Sequence, residues 1–216
     1  MRYAASFLAA VLFVSVGVAA ASPADGFVPT GEPQTFSFDT RDGFFESDSR
    51  TLDCSVNAIR GTVHFARFGR PTTEWKPFVS VALRHGQGDA ETYVALMALA
   101  AKFQPPFATK LAIGHRDDNP GSGIHFAATT GAGGTFDFFL RWTQDGVVTG
   151  VIDGQPITMP LNGAPENLEF SGSTGAGEIL YSLGNVSDPG NSCHPIASRA
   201  APGIGDCILD VPGKSA

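Results

Sequence analysis

Arg84, His125 and Tyr181 are the side chains whose types and order along this 216-residue chain best fit acid–base chemistry. β-Elimination on an acidic polysaccharide needs an Arg or Gln to neutralise the uronate carboxylate and a His or Tyr to remove and return protons. Hydrolysis needs two facing carboxylates instead. The nearest pair, Glu166 and Glu169, lies beside a turn with Asn167-Leu168 between, and reads as solvated turn charge. His115, Asp117, Asp118 and Asn119, followed by Pro120 and Gly121, form the densest run of metal-capable groups. Calcium is the one cofactor this run could hold, but two carboxylates and an amide fall short of the roughly six to eight oxygens it takes. A polar hairpin loop is the better reading. His64, His85 and His194 lack a ligand partner at strand or helix spacing, so zinc is weaker still.

Sugar binding asks for an aromatic platform and planar polar side chains, for which Trp75, Trp142, Arg84, His85, Arg116, Arg141 and Gln144 are available. Phe136, Phe138, Leu140 and Trp142 alternate on one face, which assigns Trp142 to the core. Trp75, between Glu74 and Lys76 and close to Pro71 and Pro77, reads as a loop or rim residue and is the better ligand candidate.

Short β-type segments separated by turn residues must position these groups. Phe136 to Trp142, Val147 to Ile152 and Ile157 to Leu161 are three strands joined by Asp145-Gly146 and Asp153-Gly154, both hairpin dipeptides. Upstream, Thr35 to Phe38, Thr62 to Phe68 and Phe78 to Arg84 read as strands; Leu111 to Gly114 and Ile124 to Thr130 flank the polar loop from His115 to Gly123. A final pair, Leu168 to Ser171 and Glu178 to Leu183, flanks a Gly-rich turn. Glu91 to Phe103, rich in Ala, Leu and Met, is a buried strand on the strength of the Gly-rich turn before it, with a short helix as the alternative. About ten short strands without a long helix predict an all-β, two-sheet antiparallel sandwich.

With Trp75 and Pro77 before FVSVALRH, then FLRWTQDGVVTGVIDGQ, then LEFSGSTGAGEILYSLGNV, the chain resembles the concanavalin A-like lectin and glucanase jelly rolls, laminin-G-like modules included, from about Thr35 to Val186. The resemblance implies that fold, with glycan contact as its commonest use. The E-x-D-x-x-E strand of the related glycanases is missing. Jelly-roll alginate lyases carry R-x-E-x-R, Q-[IV]-H and a Tyr-rich strand, against which this chain offers ALRHG, GIHFA and ILYSLG. Those departures remove the carboxylate-neutralising partner.

Residues 1–21 form a secretory signal: Arg2, an apolar run from Phe7 to Val18, then Ala19-Ala20-Ala21. Residues 22–34 are a flexible leader, 35–186 the sandwich domain and 187–216 a disulfide-restrained tail. Secretion or a periplasmic address follows, without a membrane span once the signal is cleaved. A net charge of −7 disfavours nucleic acid. Of Cys54, Cys193 and Cys207, the pairing Cys193–Cys207 closes a short Pro/Gly-rich loop and is preferred, while a tail that folds back would bond one of the two to Cys54. The expected function is a non-catalytic glycan-binding or surface-interaction module. A polysaccharide lyase using Arg84, His125 and Tyr181, or a structural domain without a small ligand, are the alternatives.

Overall fold

The computed structural model describes residues 26–72, 76–102, 108–116, 123–129 and 134–187. These carry thirteen strands: β1 Phe27–Pro29, β2 Gln34–Asp39, β3 Phe45–Thr51, β4 Ala58–Phe68, β5 Phe78–His85, β6 Thr92–Lys102, β7 Ala108–Arg116, β8 Gly123–Thr129, β9 Thr135–Trp142, β10 Val147–Ile152, β11 Gln155–Pro160, β12 Asn167–Ser173 and β13 Gly175–Val186. All described pairings are antiparallel. A seven-stranded sheet runs β1-β13-β4-β9-β10-β11, with β2 on the same edge of β13 as β1, and a six-stranded sheet runs β3-β12-β5-β6-β7-β8. The two pack as a β-sandwich.

The period of two in side-chain direction gives each strand an inner row. On β9 the buried Phe136, Phe138, Leu140 and Trp142 alternate with exposed Thr135, Asp137 and Arg141, and β10 repeats the pattern with Val148 and Ile152. Opposite them, Val79, Val81, Leu83, Leu96, Leu111, Leu168 and Phe170 complete the main core. Phe170 links the layers, its ring 5.8 Å from Phe36 and 4.3 Å from Tyr181. Gly172 leaves the room that Phe38 fills, since a Cβ there would lie 2.3 Å from the ring.

The ambiguous segment is a strand. Backbone pairing of β6 with β5 on one side and β7 on the other outweighs the helix propensity of Ala, Leu and Met, because a central strand satisfies every N–H and C=O along its length. Asp153 (φ 47°) and Gly154 (φ 78°) make the β10–β11 turn with both central residues left-handed, as the dipeptide predicts.

Three expectations differ. The leader contributes β1, whose Phe27 pairs with Val186, and β3 was not foreseen because FESDSRT is polar and exposed along most of its length. The final two strands are not a hairpin: β12 ends in one sheet and β13 starts in the other, with Thr174 alone between them. Finally, Cys54 is disulfide-bonded. Cys193 and Cys207, the pair expected to close the tail loop, lie outside the described residues. The neighbouring Asn57 bonds both the N–H and the C=O of Val186 at the end of β13.

Thr174 is fully buried and left-handed at φ 50°, a conformation that costs a β-branched residue strain. Its hydroxyl accepts the Gly43 N–H at 3.1 Å, its carbonyl accepts the Gly69 N–H at 2.8 Å, and its own N–H donates to Phe44 O. Thr174→Ala is expected to lose about 1–3 kcal/mol by stranding the Gly43 donor. Thr174→Ser, which keeps the hydroxyl and loses only a buried methyl, should cost no more than about 1 kcal/mol. Urea unfolding measures both, and an Ala variant as stable as the parent would show that the hydroxyl does not hold the crossing.

Candidate functional site

Arg84 lies near the end of β5 on the outward face of the six-stranded sheet, in a register row with Asn167, Tyr93 and Arg116. Its Nη1 lies 2.9 Å from Glu91 Oε2, its Nε 2.9 Å from Glu169 Oε2, and its guanidinium 5.5 Å from the centre of the Tyr93 ring. The buried Nε makes no directed hydrogen bond, so the Glu169 contact is ionic. Burial pulls the Arg84 pKa down, but Glu169 and then Glu91 outweigh it and hold it above its ordinary value. Glu169 is therefore no solvated turn charge. It sits on β12, accepts a bond from Ser171 Oγ at 3.0 Å and cancels Arg84. An arginine flanked by two carboxylates has no net positive charge left to offer a uronate.

The proposed elimination trio does not converge. Tyr181 lies on the inner face of the other sheet, 1% exposed, with its hydroxyl donating to Gln34 Oε1 at 3.0 Å and Arg50 5.6 Å from its ring centre. His125 stands on β8 opposite Ile113, in a different register row from Arg84. The sugar-binding set scatters as well. His85 Nδ1 lies 2.8 Å from Ala164 O at the end of the inner strand β5, whereas Arg141 is on the outer face of the seven-stranded sheet and donates to Thr149 Oγ1 at 3.0 Å. Trp142 is core, 4% exposed, as the alternation predicts. His115 belongs to β7 rather than to a loop, its Nε2 2.9 Å from Pro160 O. Trp75, Asp117, Asp118 and Asn119 lie outside the described residues. Among the described residues no three His, Cys, Asp or Glu side chains are placed to hold a metal ion, and no helix is long and apolar enough to cross a membrane.

A concave site forms elsewhere, on the outward face of the seven-stranded sheet. Leu180 and Ser182 of β13, Arg60 and Thr62 of β4, Asp137 and Phe139 of β9 and Val151 of β10 line a groove of about 560 Å³, with Pro33 and Gly154 also at its surface. Two register rows build it: Leu180, Thr62 and Asp137 are successive partners, as are Ser182, Arg60, Phe139 and Val151. Thr62 Oγ1 donates to Asp137 Oδ1 at 2.6 Å. Phe139 faces outward yet is 4% exposed, because the Phe27 ring from β1 meets it edge-on at 6.0 Å. The Arg60 guanidinium rests 5.7 Å from the Phe27 ring centre. Leu180 stays 50% exposed.

No single motif carries this groove. β4, β9 and β13 each give it one or two polar residues in alternating positions, and these three strands are far apart in sequence. The one signal legible beforehand was an apolar residue, Leu180, in the outward phase of β13. The groove combines one carboxylate, one guanidinium, two hydroxyls and aliphatic surface, the parts that hold a polyhydroxylated ligand. Its described lining has no second carboxylate to complete a hydrolytic pair.

Tyr181 gives a test of its structural role. Burial raises its phenol above the ordinary 10.0, offset in part by Arg50. Unfolded tyrosine ionises first as pH rises, so this contribution is complete below the ordinary value and is lost as pH climbs through the folded one. Tyr181→Phe should cost about 1 kcal/mol at neutral pH through the lost bond to Gln34 and should flatten the decline in stability above about pH 10. Urea midpoints across that range measure it; a decline as steep as the parent's would place the alkaline sensitivity elsewhere.

No protein-family model matches the sequence. No curated protein matches it either. Among solved structures, an alginate lyase of Pseudomonas aeruginosa aligns at 11% identity and a TM-score of 0.40 over 59% of this chain and 63% of that one, so the chain spans less than two thirds of that enzyme. An alginate lyase of an Alteromonas species aligns at 7% identity and 0.46 over 68% and 84%, and a β-glucanase of Bacillus licheniformis at 9% and 0.44 over 71% and 78%. The two antiparallel sheets of this chain are read from its own strand pairing.

Proposed function

We propose that the protein is an exported carbohydrate-binding protein that does not turn its ligand over, and that its glycan seat is the groove on the seven-stranded sheet. The observation that carries this reading is the make-up of that groove: donors, acceptors and aliphatic surface within about 560 Å³, inside the range of small-ligand sites. Leu180 offers a surface to sugar C–H groups, while Ser182, Thr62, Asp137 and Arg60 meet hydroxyls. Against turnover stand the separation of Arg84 from Tyr181 by the sandwich core and the neutralisation of Arg84 by Glu91 and Glu169.

A glycan array followed by titration calorimetry with the array hits tests the proposal, run beside assays for unsaturated uronate and for released reducing ends. Leu180→Ala is expected to weaken binding about fivefold, as loss of half a leucine's apolar contact implies, while the fold survives because the side chain is half exposed. No turnover is expected on acidic or neutral polysaccharides. Turnover abolished by Arg84→Ala or His125→Ala would replace binding by elimination, and undiminished affinity in Leu180→Ala would move the glycan seat away from the groove.

A further inference from the structure

We infer that Asp137, fixed by Thr62, makes the groove selective for uncharged saccharides and turns uronic-acid chains away; this rests on the glycan reading above. Asp137 is the one anion and Arg60 the one cation in the described lining, so the groove carries no net charge within a protein of net charge −7. The two are not equivalent to an incoming ligand. Thr62 donates to Asp137 Oδ1, which orients the carboxylate at the β9 end of the Leu180–Thr62–Asp137 row and leaves Oδ2 without a described partner. Arg60 instead sits over the Phe27 ring at the β1 side, in the next row.

An ionised carboxylate only accepts hydrogen bonds. A sugar hydroxyl can donate to Asp137 and gains a charge-assisted bond, whereas a uronate carboxylate in the same place brings a second acceptor and a like charge. Arg60 offers a uronate little in return, because the nearby Asp137 cancels its charge at range and the acidic remainder of the protein repels a polyanion. Specificity of this kind comes from an unfavourable contact with the wrong ligand. The hydroxyl of Thr62 is a positioning group, since it acts through Asp137.

Calorimetric titration of the full chain with cellotetraose, laminaritetraose and mannotetraose, against tetramannuronate and tetragalacturonate, reads the selectivity directly. At least one neutral tetrasaccharide is expected to bind about tenfold or more tightly than either uronate, and the gap should narrow as salt rises, because screening weakens only the repulsion. Asp137→Asn keeps the shape and an acceptor for Thr62 while removing the charge; it should shrink the neutral-to-uronate ratio about tenfold. Arg84→Ala, on the other sheet, should leave the ratio unchanged. Neutral binding with the same ratio in Asp137→Asn, or uronates binding the parent as well as neutral chains do, overturns the selectivity and leaves the glycan seat standing. Failure of every saccharide to bind overturns the glycan reading itself. If Asp137→Asn unfolds, the salt dependence of the parent decides: a ratio that does not narrow with salt rejects the inference.

Discussion

The crossing at Thr174 is the constraint from which the rest of the sandwich follows. Residues 167–173 lie in the six-stranded sheet and residues 175–186 in the seven-stranded sheet, so a nearly continuous strand is folded in half at one residue. Its neighbours fold with it. On one edge β2 and β3 follow β13 and β12, with Thr40 to Phe44 crossing beside Thr174; on the other edge β4 and β5 do the same, with Gly69 bonded to the Thr174 carbonyl. Three chain segments therefore pass between the sheets at one place. A left-handed threonine is tolerated there because its N–H, carbonyl and hydroxyl are all engaged, and because relaxing it would move the two inner strands on which both sheets are built.

Folding the ribbon brings Phe36, Phe38, Phe170 and Tyr181 face to face in the core. Tyr181 illustrates what that does to chemistry. A phenol that could act as a proton donor on an open sheet becomes a core aromatic with its hydroxyl committed to Gln34. Arg84, on the opposite outward face, is committed as firmly to two carboxylates. Groups of the right type are present in the chain, but the core lies between them.

The groove is a product of the same pairing. Because β13 is twelve residues long, it takes β1 and β2 along one edge and β4 along the other, and the residues in its outward phase become the edge of a concave surface continued by β4, β9 and β10. The N-terminal segment closes one side. Phe27 packs against Phe139 and Arg60, and Pro33 lines the groove, so a stretch that reads as leader in the sequence helps to shape it.

The sequence by itself determined what depends on neighbouring residues: the alternation of Phe136, Phe138, Leu140 and Trp142, the turns at Asp145-Gly146 and Asp153-Gly154, and from these the all-β class and the inward phase of each strong strand. Locally weak signals failed for a physical reason. The polar β3 has no hydrophobic phase, and β1 is three residues long; both exist through partners, at residues 167–173 and 184–186, far away along the chain. The Ala- and Leu-rich β6 lost its helical alternative to ladders on both sides. Which outward rows lie side by side was decided by the tertiary structure alone, since strand pairing joins Thr62 to Asp137 across 75 residues and to Leu180 across more than a hundred. Side-chain direction follows from a period of two within a strand, whereas the company an outward residue keeps follows from register between strands, and register is set by the core on the other face.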